Sequence, residues 1–343
     1  MWRLAPTLLG VVLSFAASRA QAQDATARFY AGANLNLIIG APAGGVLDVP
    51  GRLVARHLAA HMPGHPNLVV SNMPGAASNI LGRHIYAQAP KDGATIGMVF
   101  PGVTTEALFN DADQRGYDPG RFNFLGSAQN YVPTCVARDD APIKTASDLF
   151  TTELIVGGTA PGNMTYDFPT VANAVVGARF KMVKGYTSGP ELLLAVERGE
   201  LQATCSGWAI VKYRYPDILM GKRGLRVILQ GHMTGDPELN AAAVPLISSF
   251  AKSDEQRQAL DLFLSQNEYA GPFIAPPGVP VERIAALRSA FIETMRDPEF
   301  LADAKTANIE VRPSGGQTVQ DLVAKAMAAP AGAVAAIKAA LAR

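Results

Sequence analysis

Early in the chain one order recurs: a short apolar run, a segment rich in Gly, Pro and Ala, then residues with helical spacing. The apolar runs are Leu35–Ile39, Leu68–Val70 and Thr95–Phe100, and the helical segments are 48–61 and 80–88. A short strand that is apolar on both faces suits the interior of a parallel sheet. Parallel neighbours need a long crossover, usually a helix. The chain is therefore expected to be α/β with a mostly parallel sheet. The middle repeats this logic, with strands expected at Thr134–Ala137, Glu153–Val156, Phe180–Lys184, Gln202–Cys205 and Leu225–Gln230. Helices are expected after the loop Gly157–Asn163 and at Pro190–Arg198, where Pro at the start and Gly199 at the end are the usual punctuation. The last third reads as mainly helical, with helices from Pro280 and from Asp297-Pro298, a short edge strand at Ile309–Val311 and an Ala-rich helix pair from Ala324. No sequence repeat of fixed period is present.

A length of 343 residues suits two domains of ordinary size. With 30 Lys+Arg against 29 Asp+Glu, the chain lacks the basic excess of a nucleic-acid binder. Two cysteines exclude a disulfide scaffold and a Cys-rich metal protein. Cys135 and Cys205 both lie in strand-like surroundings, where a bond and a pair of buried thiols are both open. Met1–Ala22 reads as a secretory signal peptide: Arg3, the apolar run Leu4–Ala17, then Ala20-Gln21-Ala22 as a small-x-small cleavage site. No cysteine follows it that could carry a lipid. An exported, periplasmic protein is expected, in a compartment that permits disulfides.

Three glycine loops stand before helices: Pro42–Gly45 before Asp48, Pro74–Ser78 before Ile80, and Gly157–Asn163 before Thr165. Glycine allows close backbone approach. A helix N-terminus offers unpaired N–H groups and a partial positive charge. Together they suit an anion, at the carboxyl ends of the strands where open α/β sheets bind ligands. Tight strand-to-helix turns would use the same residues. No dinucleotide fingerprint, P-loop, nucleophile elbow, H-E-x-x-H or C-x-x-C motif is present. His57 and His61 are four apart but lack a third ligand, so they read as solvated surface residues. His84 and His232 have no evident partner, and Asp139-Asp140 reads as a turn. Trp208, Tyr213 and Tyr215 suit core packing better than a cleft lining.

The run IIGAPAGGVLDVPGRLVARHL, then VVSNMPGAASNILGRHIYAQAPKDGATIGMV, resembles the substrate-binding (Bug) receptors of tripartite tricarboxylate transporters. KTASDL, ELIVGGTAPG, FKMVKGYTSGPELLLAVERGELQA, PFIAPPGVPVERIAALRSAF and DPEFLADA follow in the family's order, so the resemblance covers essentially the whole mature chain. It implies a two-lobed α/β periplasmic-binding-protein fold with a ligand cleft between the lobes, closing by a hinge. It places domain 1 at 23–125 plus 232–343 and domain 2 at 126–231, after the leader 1–22. It implies a small organic carboxylate as ligand, held by backbone N–H groups and small hydroxyls. Carried over, the ligand-binding residues are Ala43, Gly44, Gly45 and Asp48, then Gly75, Ala76, Ala77 and Ser78, then Pro101, Gly102, Val103 and Thr104. Domain 2 adds Thr159, Gly162, Asn163, Tyr186, Thr187 and Ser188. Two departures stand out: Val46 where many relatives have a third glycine, and Pro50-Gly51 at the helix start. The implied partners are membrane permease subunits; no cofactor, metal or nucleic acid is implied, and a monomer is expected. Two alternatives are a receptor that signals to a sensor kinase, and a periplasmic enzyme using Ser78 or a cysteine as nucleophile.

Overall fold

The computed structural model describes residues 24–109 and 116–341; the expected leader lies outside them. The described strands are β1 (Asn34–Ile39), β2 (Asn67–Asn72), β3 (Thr95–Met98), β4 (Asn123–Ser127), β5 (Pro133–Arg138), β6 (Leu154–Gly157), β7 (Phe180–Val183), β8 (Ala203–Gly207), β9 (Leu225–Gln230), β10 (Pro272–Ala275) and β11 (Ser314–Gly315). The chain divides into two compact units. Unit 1 is Met1–Gln129 with Gly271–Asp321, and unit 2 is Asn130–Ala270 with Leu322–Arg343.

Unit 1 has one sheet in the order β11-β4-β10-β3-β1-β2. Only β2-β1-β3 is parallel; β10 runs antiparallel to both β3 and β4. The sheet is therefore mixed, because the late strand β10 enters between two early ones. Alternation along β1 buries Leu35, Leu37 and Ile39. They share a core with Leu53, Val54 and Leu58 of the helix Asp48–His61 and with Leu287 and Phe291 of the helix Val281–Thr294. The expected strand Ile309–Val311 is not a strand, and the Ile309 N–H donates to the Ala304 carbonyl at the end of the preceding helix. Its side chains pack on the core, and pairing begins at Ser314–Gly315, opposite Ser127 and Gly126.

Unit 2 has a sheet in the order β7-β6-β8-β5-β9, parallel at β7-β6-β8 and antiparallel from β8 to β9. Its core gathers Val136, Leu192, Leu193, Val196, Val211 and Leu225 with Trp208 and Tyr215, while Tyr213 is exposed. The expected division of the chain differs here: residues 232–270 and 322–343 fall in unit 2. The buried Gln230 side chain explains the first stretch. Its amide donates to Asn240 Oδ1 and the Val244 carbonyl and accepts from the Asp236 N–H, fastening 236–244 to the end of β9. The helix Asp254–Ser265 then packs on Met164–Val176 and on Ala331–Ala340, which draws in the Ala-rich tail. Among the described residues, no single helix is long and apolar enough to cross a membrane.

Both sheets use the same winding. The first parallel strand (β1 or β6) is central, the second lies to one side and the third to the other. The strand order thus reverses between β1 and β3, and again between β6 and β8. Such switch points are where open α/β sheets leave a crevice at the carboxyl ends.

Cys135 on β5 and Cys205 on β8 are direct cross-strand partners and are bonded to each other. A loop of this length removes denatured-state entropy worth about 4 kcal/mol in the chain-entropy model. The purified, denatured protein should titrate no thiols before reduction and two after it. Combined Cys135→Ser and Cys205→Ser replacement should lower the unfolding free energy by about 2–4 kcal/mol in urea denaturation.

Candidate functional site

The carboxyl ends of β1, β2 and β3 are level, since Ile39 is in register with both Asn72 and Met98. Three loops therefore leave neighbouring points of one sheet edge. The first is folded by Asp48. Its buried carboxylate accepts from the Gly44 N–H at 2.9 Å, from Arg52 Nε at 2.9 Å and from Asn72 Nδ2 at 2.7 Å. Asn72 also donates to the Ala41 carbonyl and accepts from Arg52. Burial pushes the Asp48 carboxyl up, but the hydrogen bonds from Asn72, Gly44 and Arg52 outweigh it and hold the group down at about 2. Asp48 and the Gly44 amide, both expected to meet a ligand, thus meet each other. Among the described residues, the N–H groups of Ala43, Val46 and Leu47 in this loop take no partner.

Ser78 ties the three loops together. Its fully buried hydroxyl donates to the Gly40 carbonyl at 2.8 Å and accepts from the Phe100 N–H at 3.1 Å. Gly40 leaves room for it, because a Cβ there would stand 2.4 Å from Ser78 Oγ. Reaching this position takes a left-handed turn: Ala76, Ala77 and Ser78 have φ of 45°, 49° and 72°. Each costs roughly 1–2 kcal/mol for an L-residue. The Ser78 hydroxyl is therefore buried and engaged and is not exposed as a nucleophile would be; Ala76 and Ala77 are the exposed part of this loop. Val103 and Thr104, also expected at the ligand, are covered as well. They lie in the first turn of the helix Gly102–Phe109 and are buried, with the Thr104 hydroxyl donating back to the Pro101 carbonyl. Pro101 and Gly102 stay half-exposed.

Unit 2 repeats the device. After β6, the Gly162 N–H donates to both oxygens of Asp167, at 2.9 and 3.1 Å. Asn163 caps the helix Met164–Val176 through the Thr165 N–H, and the Thr159 hydroxyl pairs with that of Thr165 at 2.8 Å. After β7, Ser188 caps the helix Gly189–Glu197. The Thr187 N–H and hydroxyl both donate to Glu191 Oε2, at 2.7 and 2.6 Å. The Thr187 hydroxyl and N–H hold the exposed Glu191 carboxyl below its usual range. Tyr186 is half-buried and packs against the unit 2 core. Sequence reasoning missed Ser206, at the end of β8. Its Oγ is buried and has no partner among the described residues, and a Cβ on Gly189 would stand 2.9 Å from it. The signal for the loop-closing acids was visible, since Asp48 and Asp167 stand four and five residues after a loop glycine.

The histidines are not solvated singles. His57 Nε2 lies 3.0 Å from Asp303 and His61 Nε2 2.8 Å from Asp297, clamping Asp48–His61 to the helix Pro298–Thr306. His84 pairs with Gln88. His232 is buried beside Glu268 and Asn130, and burial lowers its pKa to about 4, leaving it neutral at neutral pH. Asp139-Asp140 is a turn, paired to Arg226 and Arg138. Among the described residues, no group of His, Cys, Asp and Glu could hold a metal ion.

No family model matches the chain. Solved structures do. A TctC solute-binding protein from Polaromonas superposes with a TM-score of 0.69 at 19% identity, over 89% of this chain and 99% of the other. A Rhodopseudomonas palustris protein solved with adipate gives 0.57 at 20% identity, over 90% and 97%. MatC from the same organism, solved with malate, gives 0.53 at 18%, over 90% and 99%. The fold is that of a two-domain periplasmic solute-binding protein. A curated UPF0065 protein of Cupriavidus necator is 30% identical over 158 residues; that match spans 46% of this chain and 44% of the relative, under half of its length. In this solute-binding fold the two loop edges, one per unit, are the candidate functional surfaces.

Two substitutions test the loop architecture. Ser78→Ala leaves the Gly40 carbonyl and the Phe100 N–H without their partner and should lower the unfolding free energy by about 1–3 kcal/mol. Asp48 is depressed, so its stabilisation is complete above its ordinary value near 3.8 and fades as pH falls towards about 2. Between pH 4 and 2 the native protein should lose more stability than Asp48→Asn, as followed by urea denaturation at each pH.

Proposed function

We propose that this chain is a receptor of the tripartite tricarboxylate transporter type, exported to the periplasm, that captures a small organic carboxylate and presents it to membrane permease subunits. The observation that carries this reading is the first loop of unit 1. It presents three backbone N–H groups without a partner beside the N-terminus of a 14-residue helix, at a switch point of the sheet. The malate and adipate bound by proteins of the same fold support a carboxylate. The Cys135–Cys205 bond supports an oxidising compartment. Binding by closure of the two units on the ligand follows the resemblance and makes or breaks no bond. The enzyme alternative loses its nucleophiles, because Ser78 is buried with its hydroxyl engaged and both cysteines are bonded.

Amide donors suffice for this task. Hydrogen bonds to a charged group contribute about 1.5–3 kcal/mol each. Three would supply roughly 5–9 kcal/mol before ordering costs, and micromolar affinity needs about 8. Thermal unfolding of ligand-stripped protein should therefore respond to carboxylates and not to glucose or to an amine. At 100 times Kd, a ligand adds about 2.7 kcal/mol, a shift of several degrees. A panel of carboxylates that leaves the transition unmoved would overturn the receptor reading.

A further inference from the structure

Resting on the receptor reading, we propose that Ser206 is the side chain by which unit 2 holds a carboxylate oxygen of the ligand, together with the N–H of Gly189. The first observation is a hydroxyl without a partner. Ser206 is fully buried near the end of β8, and its Oγ has no hydrogen-bond partner among the described residues. A buried hydroxyl is normally paired, because it has given up its hydrogen bonds to water. Thr204, two residues earlier on the same strand, shows the ordinary case, with its hydroxyl donating to the Gly157 carbonyl at 3.1 Å.

The second observation is what the hydroxyl faces. A Cβ on Gly189 would stand 2.9 Å from Ser206 Oγ and 3.5 Å from Ile210 Cδ1, so the hydroxyl lies against the bare side of Gly189. Gly189 is half-exposed and opens the nine-residue helix Gly189–Glu197. The first turn of a helix carries N–H groups without helical acceptors and a partial positive charge. In this turn Pro190 has no N–H, the Glu191 N–H donates to Ser188 Oγ and the Leu192 N–H to the Ser188 carbonyl. Among the described residues, the Gly189 N–H is the one this turn leaves over. The Glu191 carboxylate is turned to the Thr187 N–H and hydroxyl.

The third observation is position. Ser206 stands at the carboxyl end of β8, beside the switch between β6 and β8 where an open α/β sheet leaves its crevice. The Cys135–Cys205 bond fixes β8 one residue before it. Because the hydroxyl holds no hydrogen bond, it turns about its Cα–Cβ bond towards a ligand at Gly189 without giving one up. The bound carboxylate oxygen then accepts from the Ser206 hydroxyl and from the Gly189 N–H, and the hydroxyl gains the partner it lacks.

Calorimetric titration of the ligand-stripped protein with succinate, malate, adipate, citrate and benzoate selects the tightest binder, which is then titrated into the variants. Ser206→Ala should weaken it at least about tenfold. Urea denaturation of the same variant, without ligand, should show stability unchanged or raised, because no hydrogen bond is lost. Gly189→Ala, whose added methyl crowds the hydroxyl, should also weaken binding, and should weaken it less in the Ser206→Ala background than alone. Native affinity in Ser206→Ala, or a marked loss of its stability, would overturn the inference and leave the receptor reading standing. No binding by any of the five would overturn the receptor reading with it.

Discussion

Backbone N–H groups stranded where a strand gives way to a helix are the constraint on which this molecule is built. Each such group must find an acceptor or face solvent and ligand. In three of the loops the acceptor is an acid from the helix that follows: Asp48 for Gly44, Asp167 for Gly162 and Glu191 for Thr187. The carboxylate also sits favourably at the positive end of its helix. The loops are thereby set by short-range contacts within each strand-to-helix junction. What stays open on the first loop is a small remainder of amides, on Ala43, Val46 and Leu47.

Ser78 makes the complementary contact, between loops and not within one. By donating to Gly40 and accepting from Phe100, it links the ends of β1, β2 and β3. Three consecutive left-handed residues are tolerated to put the hydroxyl there. The loops at the edge of unit 1 are thus tied to one another through Ser78, and the exposed side chains on them are Val46, Val49, Ala76, Ala77 and Ile80.

Much of the architecture was legible. The strands β1, β2 and β9 and the helices from Asp48, Val281 and Pro298 follow from apolar periodicity and from Pro and Gly punctuation, which are local signals. β4 and β10 were not legible. Pro272–Ala275 is short and apolar, and its strand character comes from antiparallel pairing with β3 and β4, about 175 and 150 residues away in sequence. The glycine loops were found at the right places, but the owners of their hydrogen bonds were not. Asp48, Gly44, Gly162, Ser78 and Thr104 have types that suit a ligand equally well. Only the fold shows that they satisfy one another.

The sequence by itself determined the α/β class, the placement of glycine loops ahead of helices, and the near absence of charge on those loops. These depend on residue type and local spacing, which the chain carries directly. Tertiary structure decided the rest. It set which segments join which unit, through the Gln230 side chain and the packing of Asp254–Ser265. It paired Cys135 with Cys205 across β5 and β8. It also chose which amides remain open, because a hydrogen bond between Ser78 and Gly40 depends on a distance in space that no spacing along the chain encodes.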